Sequence, residues 1–358
     1  MRPLGGVVIG MYGDRVGRKP AMVLAFTLMG AAILGMALTP PYARIGIASP
    51  ILLVIFRLLQ GFALGGEVGP STAFLVESAP PHRRGLYVSI QSMTQDLAVL
   101  AAGVAGFTLS TWLTPAALDA WGWRAAFLIG TAVVPIGLHL RRSLPETMHA
   151  ADRRFATGQR RVSAPLVALA LMMFMAYATY LYGLDYMATY AQDSLRMTPA
   201  MAFGATVVIG FCAVVADPVS GLLSDRIGRR PVMLGAVVAL ALLLVPAFRA
   251  MTELRSVPAV YGACAVLAVL QAFLTVPVLV TITESLPKAV RSSALGIIYA
   301  VSMVFAGSTQ LAIKGLTDLT GSPLAPAWYM TGAVLIGGVA MMLMRETAPV
   351  KVGLSPDH

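Results

Sequence analysis

Long uncharged segments alternate with short polar ones along the whole chain. The segment from Pro20 to Thr39 carries no charge, and twenty residues of α-helix extend about 30 Å, the thickness of the hydrocarbon core of a bilayer. Comparable segments predict eleven helices, at about residues 2–12, 20–39, 50–78, 85–112, 124–141, 164–188, 199–223, 231–249, 257–283, 292–314 and 325–344. The pattern therefore predicts an all-α membrane protein with many spans.

The composition and the placement of charge agree with this class. The chain is 58% hydrophobic and 12% charged, whereas soluble domains carry about 25% charged residues. The net charge of +10 could favour nucleic acid, but most Lys and Arg residues fall in alternate gaps between the apolar segments. This asymmetry is typical of cytoplasmic loops. We therefore expect a lipid bilayer and no nucleic acid as partner, and a cytoplasmic C-terminus.

The chain consists of two halves that repeat. One long polar stretch, residues 143–163, separates residues 1–142 from residues 164–347, and residues 348–358 form a tail. "GMYGDRVGRKP" at Gly10 returns as "GLLSDRIGRRP" at Gly221, "ESAPPHRR" at Glu77 as "ESLPKAVR" at Glu284, and "LPET" at Leu144 as "MRET" at Met344. Repeated membrane halves of this kind build a substrate site near the bilayer midplane, where the repeats meet.

The repeat also indicates a deficit at the N-terminus. Two predicted helices precede the phrase at Gly221, whereas nine residues precede the phrase at Gly10. We therefore expect that one helix is absent upstream, because the chain begins at an internal methionine or the gene is truncated. The alternative is a genuine protein of eleven helices.

Four motifs carry a family resemblance. They are the phrase G-x3-D-R-x-G-R-[K/R]-P in both halves, "FRLLQGFALGGE", "WGWRAAF" and "RRSLPET". The chain resembles the major facilitator superfamily and, within it, the metabolite:proton symporter family, closest to bacterial citrate and related carboxylate–proton symporters. The resemblance implies two pseudo-symmetric helical bundles, here with the first of the usual twelve helices missing, a bacterial inner membrane, and function as a monomer.

The repeated charged phrase is a candidate cytoplasmic gate. Glycines permit close helix approach and tight turns, and Asp14 can pair with Arg18 or with a helix N-terminus of the other half. The basic side chains are expected to stay at the inner membrane surface, and the alternative is that they are only anchors for topology. The gate residues are Gly10, Asp14, Arg15, Gly17, Arg18 and Lys19, with Asp225, Arg226, Gly228, Arg229 and Arg230 in the second half.

One predicted helix, residues 50–78, carries a polar stripe. Arg57, Gln60 and Glu67 lie on one side at the helical period, and ionisable residues inside a membrane are costly and are functional candidates. We predict that the stripe faces the bundle interior, that Arg57 and Gln60 bind an anionic substrate, and that Glu67 is a proton-site candidate. The alternative is an Arg57–Glu67 ion pair that only orders the bundle.

Further candidates come from three other helices. Gln91 and Gln95 share one face of the fourth helix, and the tricarboxylate members are similar there. Asp96 stands where those members usually have a neutral residue. An ionised Asp96 would repel a carboxylate, so a protonated Asp96 is a proton-site candidate, as is Asp217 before Pro218. Tyr180 belongs to a tyrosine cluster that contacts substrate or forms an aromatic belt at the membrane interface.

These features predict a transporter. A carboxylate enters an interior-negative cell at a cost of about 2.3 kcal/mol per charge per 100 mV unless protons accompany it. We expect a proton-coupled symporter of an organic carboxylate such as citrate or a related di- or tricarboxylate, with protons as the coupling ion and no other cofactor. The alternatives are a symporter of a zwitterion such as proline or betaine, and an inactive fragment. Neither a metal site nor a catalytic set of residues is visible, so an enzyme is not expected.

Overall fold

The computed structural model describes residues 1–145 and 163–352, and within them the backbone is helical with no strand. We number the principal helices α1 Arg2–Arg15, α2 Arg18–Leu38, α3 Ala48–Ser78, α4 Arg84–Trp112, α5 Trp123–Ser143, α6 Ala164–Asp185, α7 Pro199–Ile227, α8 Arg229–Leu254, α9 Val257–Ser285, α10 Arg291–Gly307 and α11 Ala325–Leu343. Most of the predicted linker and the end of the predicted tail, residues 146–162 and 353–358, lie outside the described part.

Shorter helical pieces join or extend these helices. The predicted sixth helix ends at Asp185 and is followed by Met187–Asp193, and the predicted tenth ends at Gly307 and is followed by Thr309–Thr320. One helical turn lies directly before α4, at Pro81–Arg83, and another before α10, at Lys288–Val290. Single short turns also occur at Tyr42–Ile45, Pro115–Ala117, Leu118–Gly122 and Pro349–Val352.

Ten helical stretches in the described residues are long and apolar enough to cross a membrane. The helix α1, with 14 residues, is shorter than these spans. The large apolar side chains that remain exposed are distributed over most of these stretches, as expected where lipid covers them. The predicted all-α membrane class is therefore confirmed, and the chain is a multi-pass membrane protein.

The packing divides the chain into two compact units, each of which combines helices from both sequence halves. The described residues of the first unit are 1–78, 113–145 and 286–301, and those of the second are 79–112, 163–285 and 302–352. The predicted domain boundaries at residues 142 and 164 follow the sequence repeat, not the packing, and stay a prediction.

In the first unit, α1 packs against the beginning of α10 through glycine. A Cβ atom added at Gly6 would lie 2.7 Å from the carbonyl oxygen of Gly296, and one added at Gly10 would lie 2.9 Å from the Cα of Ser293. Side chains larger than hydrogen would therefore separate these backbones. The expected close approach at Gly10 is confirmed.

In the second unit, α4 and α7 run antiparallel and touch along most of their length. A Cβ atom at Gly85 would lie 2.6 Å from the carbonyl oxygen of Gly221, and one at Gly210 would lie 2.5 Å from the backbone nitrogen of Leu100. Small residues are what permits such contact in membrane helices. The helix of the first half and the helix of the second half thus meet backbone to backbone.

Candidate functional site: two charge clusters and the membrane carboxyls

The repeated phrase forms a sharp turn between two helices in each unit. Gly17 lies between α1 and α2 with φ 148°, and Gly228 lies between α7 and α8 with φ 109°. Residues with a side chain rarely adopt such a backbone conformation. The predicted role of both glycines in a tight turn is confirmed, and the turns fix the acidic and basic side chains on either side of them.

Asp14 binds the N-terminus of a helix from the other half of the sequence. Its two carboxylate oxygens accept hydrogen bonds from the backbone N–H groups of Ser292, at 3.2 Å, and Ser293, at 2.8 Å. These N–H groups belong to the first turn of α10, where they lack partners inside the helix and where the helix dipole favours a negative charge. The same carboxylate also pairs with Arg18, so both of the predicted partners are found together.

Arg18 connects this contact to a second carboxylate. Its side chain is 0% exposed, lies 3.2 Å from an oxygen of Glu77, and donates to the carbonyl oxygen of Lys288 at 3.1 Å. Arg291 contacts the same Glu77 oxygen at 3.3 Å. We call Asp14, Arg18, Glu77 and Arg291 the first charge cluster.

The second unit repeats the arrangement. Asp225 accepts hydrogen bonds at 2.9 Å from the N–H groups of Gly85 and Leu86, in the first turn of α4. Arg229 is 0% exposed and lies 2.6 Å from Asp225 and 3.5 Å from Glu284. Arg84 lies 3.7 Å from the same Glu284 oxygen. We call Asp225, Arg229, Glu284 and Arg84 the second charge cluster.

The two clusters correspond residue by residue. In each, an aspartate before the turn caps a helix of the other half, a buried arginine after the turn pairs with it, and a Glu–Arg contact completes the set. The sequence prediction missed Glu77, Arg84, Glu284 and Arg291. The signal was present in the echo of "ESAPPHRR" in "ESLPKAVR", because each of these segments begins with the glutamate of one cluster and ends with the arginine of the other.

The basic residues of the phrase differ in how far they are exposed to solvent. Arg15 and Arg226 are exposed and Lys19 is half-buried, whereas Arg18 and Arg229 are fully buried. Their position at the inner membrane surface stays a prediction, but Arg18 and Arg229 are buried in the protein instead of facing water. The reason is that three acceptors surround each guanidinium, and a planar group with five N–H donors can satisfy them simultaneously.

Glu346 adds a further cap in the second unit. Its carboxylate accepts hydrogen bonds from the backbone N–H groups of Arg229 at 2.9 Å and Arg230 at 3.0 Å, at the start of α8. Burial opposes ionisation, but four backbone N–H groups, those of Ala348, Arg230, Arg229 and Thr347, outweigh it and hold the pKa of Glu346 below its usual range. The side chain of Arg230 reaches the carbonyl oxygen of Met342, which fixes the end of α11 to the same turn.

We expect the replacement Glu346→Gln to lower thermal stability at neutral pH. The lowered pKa means that the ionised group stabilises the fold fully above the ordinary glutamate pKa, and that this contribution is lost as the pH falls through the lowered value. The difference in unfolding temperature between wild type and variant should therefore shrink as the medium is made strongly acidic. Thermal unfolding of the purified proteins across pH measures this, and a difference independent of pH would contradict the assignment.

The polar residues of α3 make different contacts from those predicted. The guanidinium of Arg57 is exposed, donates to Gln60 at 3.0 Å, and lies 5.9 Å from the centre of the Phe127 ring. Glu67 pairs with Arg141 of α5, whose guanidinium stacks on the Phe26 ring at 4.0 Å. The alternative of an Arg57–Glu67 ion pair is therefore wrong, since ten residues of helix separate these groups by about 15 Å.

In the second unit, the carboxyl groups of Asp96 of α4 and Asp217 of α7 lie within hydrogen-bonding reach of each other. Asp217 is 1% exposed, and among the described residues no N–H or hydroxyl group donates to either of its oxygens. Gln91 is half-buried and Gln95 is exposed on α4. The structure thus brings two of the proton-site candidates together.

Tyr180 has a packing role instead of either predicted one. Its side chain is 0% exposed, and its hydroxyl donates to the backbone carbonyl of Leu267. A fully buried phenol contacts neither the lipid interface nor a substrate in this conformation. The apolar residues around Tyr180 on α6 did not reveal this packing role, since a buried tyrosine can satisfy its hydroxyl with a backbone carbonyl of another helix.

Comparisons with known proteins agree on one family. The family model described as Major Facilitator Superfamily matches residues 3–216, and that described as Sugar (and other) transporter matches residues 133–352. A citrate-proton symporter of Klebsiella pneumoniae is 34% identical, over 98% of this chain and 81% of its own length. A proline/betaine transporter of Escherichia coli (strain K12) is 31% identical, over 99% of this chain and 75% of its own length.

A solved structure supports the same fold. The proton:xylose symporter XylE bound to 6-bromo-6-deoxy-D-glucose superimposes with a TM-score of 0.79 at 17% identity, covering 97% of this chain and 84% of that chain. At this identity the likeness concerns the fold. The resemblance drawn from the sequence motifs is confirmed by these matches.

Proposed function

Because the chain belongs to the Major Facilitator Superfamily, we propose that it is a proton-coupled symporter that imports a small organic carboxylate across the inner membrane by alternating access. Transporters of this superfamily are not enzymes, and no cofactor beyond the coupling proton is needed. The observation that carries the proposal is the pair of charge clusters, each of which ties a helix of one sequence half to a helix of the other.

The clusters have the properties of a releasable gate. Each aspartate satisfies two backbone N–H groups that would otherwise be unpaired, and each cluster gathers two carboxylates and two guanidinium groups in a small volume. Charged groups of this kind can exchange their protein partners for water when the helices separate, which a hydrophobic contact cannot do without cost. Both clusters belong to the loops that the distribution of basic residues assigns to the cytoplasmic side.

The proposed substrate class rests on charge. Arg57 is exposed, and among the described residues it contacts an amide oxygen and an aromatic ring but no carboxylate that would neutralise its charge. A guanidinium group in this state can bind a carboxylate through two parallel N–H donors. The citrate-proton symporter of Klebsiella pneumoniae is similar over nearly the whole chain, which favours citrate as the first substrate to test.

We expect the protein in proteoliposomes to accumulate radiolabelled citrate when the lumen is more alkaline than the medium. With the membrane potential clamped at zero, one coupled proton can sustain about a tenfold concentration ratio per pH unit, because one unit corresponds to about 1.4 kcal/mol. Collapse of the gradient with a protonophore serves as the control. Uptake that ignores the pH gradient would contradict proton coupling.

A second candidate is symport of a zwitterion. The proline/betaine transporter of Escherichia coli covers this chain as completely as the citrate relative does, and a betaine or proline also presents a carboxylate to Arg57. Competition decides between them: unlabelled proline or glycine betaine should leave citrate uptake unchanged if the substrate is a di- or tricarboxylate. Inhibition by the zwitterions and no citrate uptake would favour the second candidate.

A further inference from the structure

We propose that Asp96 and Asp217 hold a single proton between them across the contact of α4 and α7, and that this shared proton is the one coupled to transport. The inference deepens the proposed function and rests on it. It concerns two side chains that belong to different halves of the sequence, one on a helix of each repeat.

A hydrogen bond between the two neighbouring carboxyl groups requires a proton. A carboxylate oxygen can only accept a hydrogen bond, so two carboxyl groups bond to each other only when one of them is protonated. Two ionised groups in contact would repel each other strongly in a medium of low dielectric constant. Asp217 is 1% exposed, and neither of its oxygens has a hydrogen-bond donor among the described residues, so a protonated Asp96 carboxyl is the group within reach that can supply one.

The backbone contact between the helices keeps the pair together. Asp96 lies between Gly85 and Leu100 on α4, and Asp217 lies between Gly210 and Gly221 on α7. Gly85 touches Gly221, and Leu100 touches Gly210. The carboxyl pair therefore lies between two close contacts of the same helices, which hold α4 and α7 together on both sides of it.

Other charged groups are distant from the pair along these helices. The second charge cluster and its basic neighbours lie at one end of α4 and α7, with Asp225 eight residues from Asp217, or about 12 Å of helix. On the elements packed against α7, the charged residues at the other end are Asp193, Arg249 and Glu253. The remaining ionisable groups nearer the middle are Cys212, Tyr261 and Cys264, which are neutral at neutral pH. No cation of the described elements is thus placed to replace the shared proton.

This placement links proton binding to the conformational change. Alternating access moves one repeat against the other, and the pair spans the two repeats. In the packed state the two carboxyls hold one proton jointly. When the helices separate, each carboxyl meets water alone and exchanges its proton independently, so the proton occupancy of the pair depends on which state the transporter occupies.

The test uses the full chain in proteoliposomes with radiolabelled citrate as probe. We expect Asp96→Asn and Asp217→Asn each to lower accumulation driven by one pH unit from about tenfold to about one. Exchange of external labelled citrate against preloaded citrate should persist in both, because exchange needs the conformational change but no net proton movement. The double variant should resemble either single variant, since one proton is lost in all three. Asp318→Asn, an exposed carboxyl on Thr309–Thr320, is the matched control and should accumulate citrate as wild type does.

Infrared spectroscopy of the purified protein gives a second readout, which needs no substrate. At neutral pH the C=O stretching band of a protonated carboxyl should be present, should be absent in Asp96→Asn and in Asp217→Asn, and should persist in Asp318→Asn. A wild-type spectrum without this band overturns the proposal, as does either single variant with undiminished accumulation. If wild type does not take up citrate, the proposed substrate fails, while the infrared result still decides the carboxyl pair.

Discussion

Replacing Arg229 by alanine is expected to destabilise the protein by about 3–5 kcal/mol, the range measured when one partner of a buried ion pair is removed. Arg229 is fully buried and its guanidinium contacts Asp225 at 2.6 Å, Ser224 at 2.9 Å and Glu284 at 3.5 Å. Without it, two buried carboxylates remain, and Arg84, which lies 3.7 Å from Glu284 and is partly exposed, is the other arginine in contact with them among the described residues. The purified variant should unfold at a lower temperature.

The chain provides a matched control in the same phrase. Arg226 precedes the turn, is exposed, and belongs to the same run of basic residues, so Arg226→Ala should change thermal stability little. The conservative variant Arg229→Lys should recover part of the loss, because an ammonium group retains the charge but cannot contact three acceptors in a plane. Equal unfolding temperatures for Arg229→Ala and Arg226→Ala would contradict the buried role of Arg229.

The same substitution should also favour the open gate. Asp225 caps α4 with Arg229 at its side, so removal of the arginine leaves an uncompensated charge in the packed state and not in a hydrated open state. Accessibility of a cysteine introduced at Ser89, which is buried beside Gly221, would report this shift. Faster labelling in Arg229→Ala than in wild type is the expected result.

The helices could be predicted from the sequence because the bilayer imposes length and polarity on them. The predicted segment 20–39 is α2, Arg18–Leu38, and the predicted segment 257–283 is α9, Val257–Ser285. Ends were less accurate where a helix extends into a polar loop: α7 continues to Ile227, four residues past the predicted end. Polar residues near the membrane surface can be helical or not at similar hydropathy, so the pattern alone does not fix the last turn.

The gate could be predicted in part. The repeated phrase identified Asp14 and Asp225. It also indicated their two kinds of partner, an arginine and a helix N-terminus, because a carboxylate beside a turn has few hydrogen-bond donors within reach. It did not identify Glu77 or Glu284, since a contact between residues 59 positions apart, as for Arg18 and Glu77, depends on how helices pack. The available signal was that Glu77 and Glu284 occupy the same position in the repeated segment of each half.

Partners inside the membrane were the least predictable part. The polar face of α3 was visible in the sequence, but Glu67 pairs with Arg141, which lies near the end of α5. A long arginine side chain can reach into the membrane region from a helix end. Likewise, Asp96 and Asp217 each stood out as a charge in an apolar helix, but nothing in the sequence placed them together.

Replacing Arg57 by glutamine is expected to weaken citrate uptake without harming the fold. A hydrogen bond to a charged partner contributes about 1.5–3 kcal/mol, so the KM for citrate should rise about tenfold to a hundredfold. Arg57 pairs with no carboxylate among the described residues and is exposed, so its removal leaves no buried charge unpaired. The thermal unfolding temperature should therefore stay close to that of wild type, the opposite of the result expected for Arg229→Ala.

The control for Arg57 is an arginine that carries the same charge away from α3. Arg249 is exposed on α8 and contacts Glu253 one turn away, so Arg249→Gln removes one positive charge from the surface and should leave the KM unchanged. Arg57→Lys should give an intermediate KM, because a lysine attracts a carboxylate but cannot bind both of its oxygens in parallel. A KM unchanged in Arg57→Gln would mean that the carboxylate binds elsewhere. Arg141, which pairs with Glu67 of α3, would then be the next candidate, since a substrate carboxylate could displace Glu67 from it.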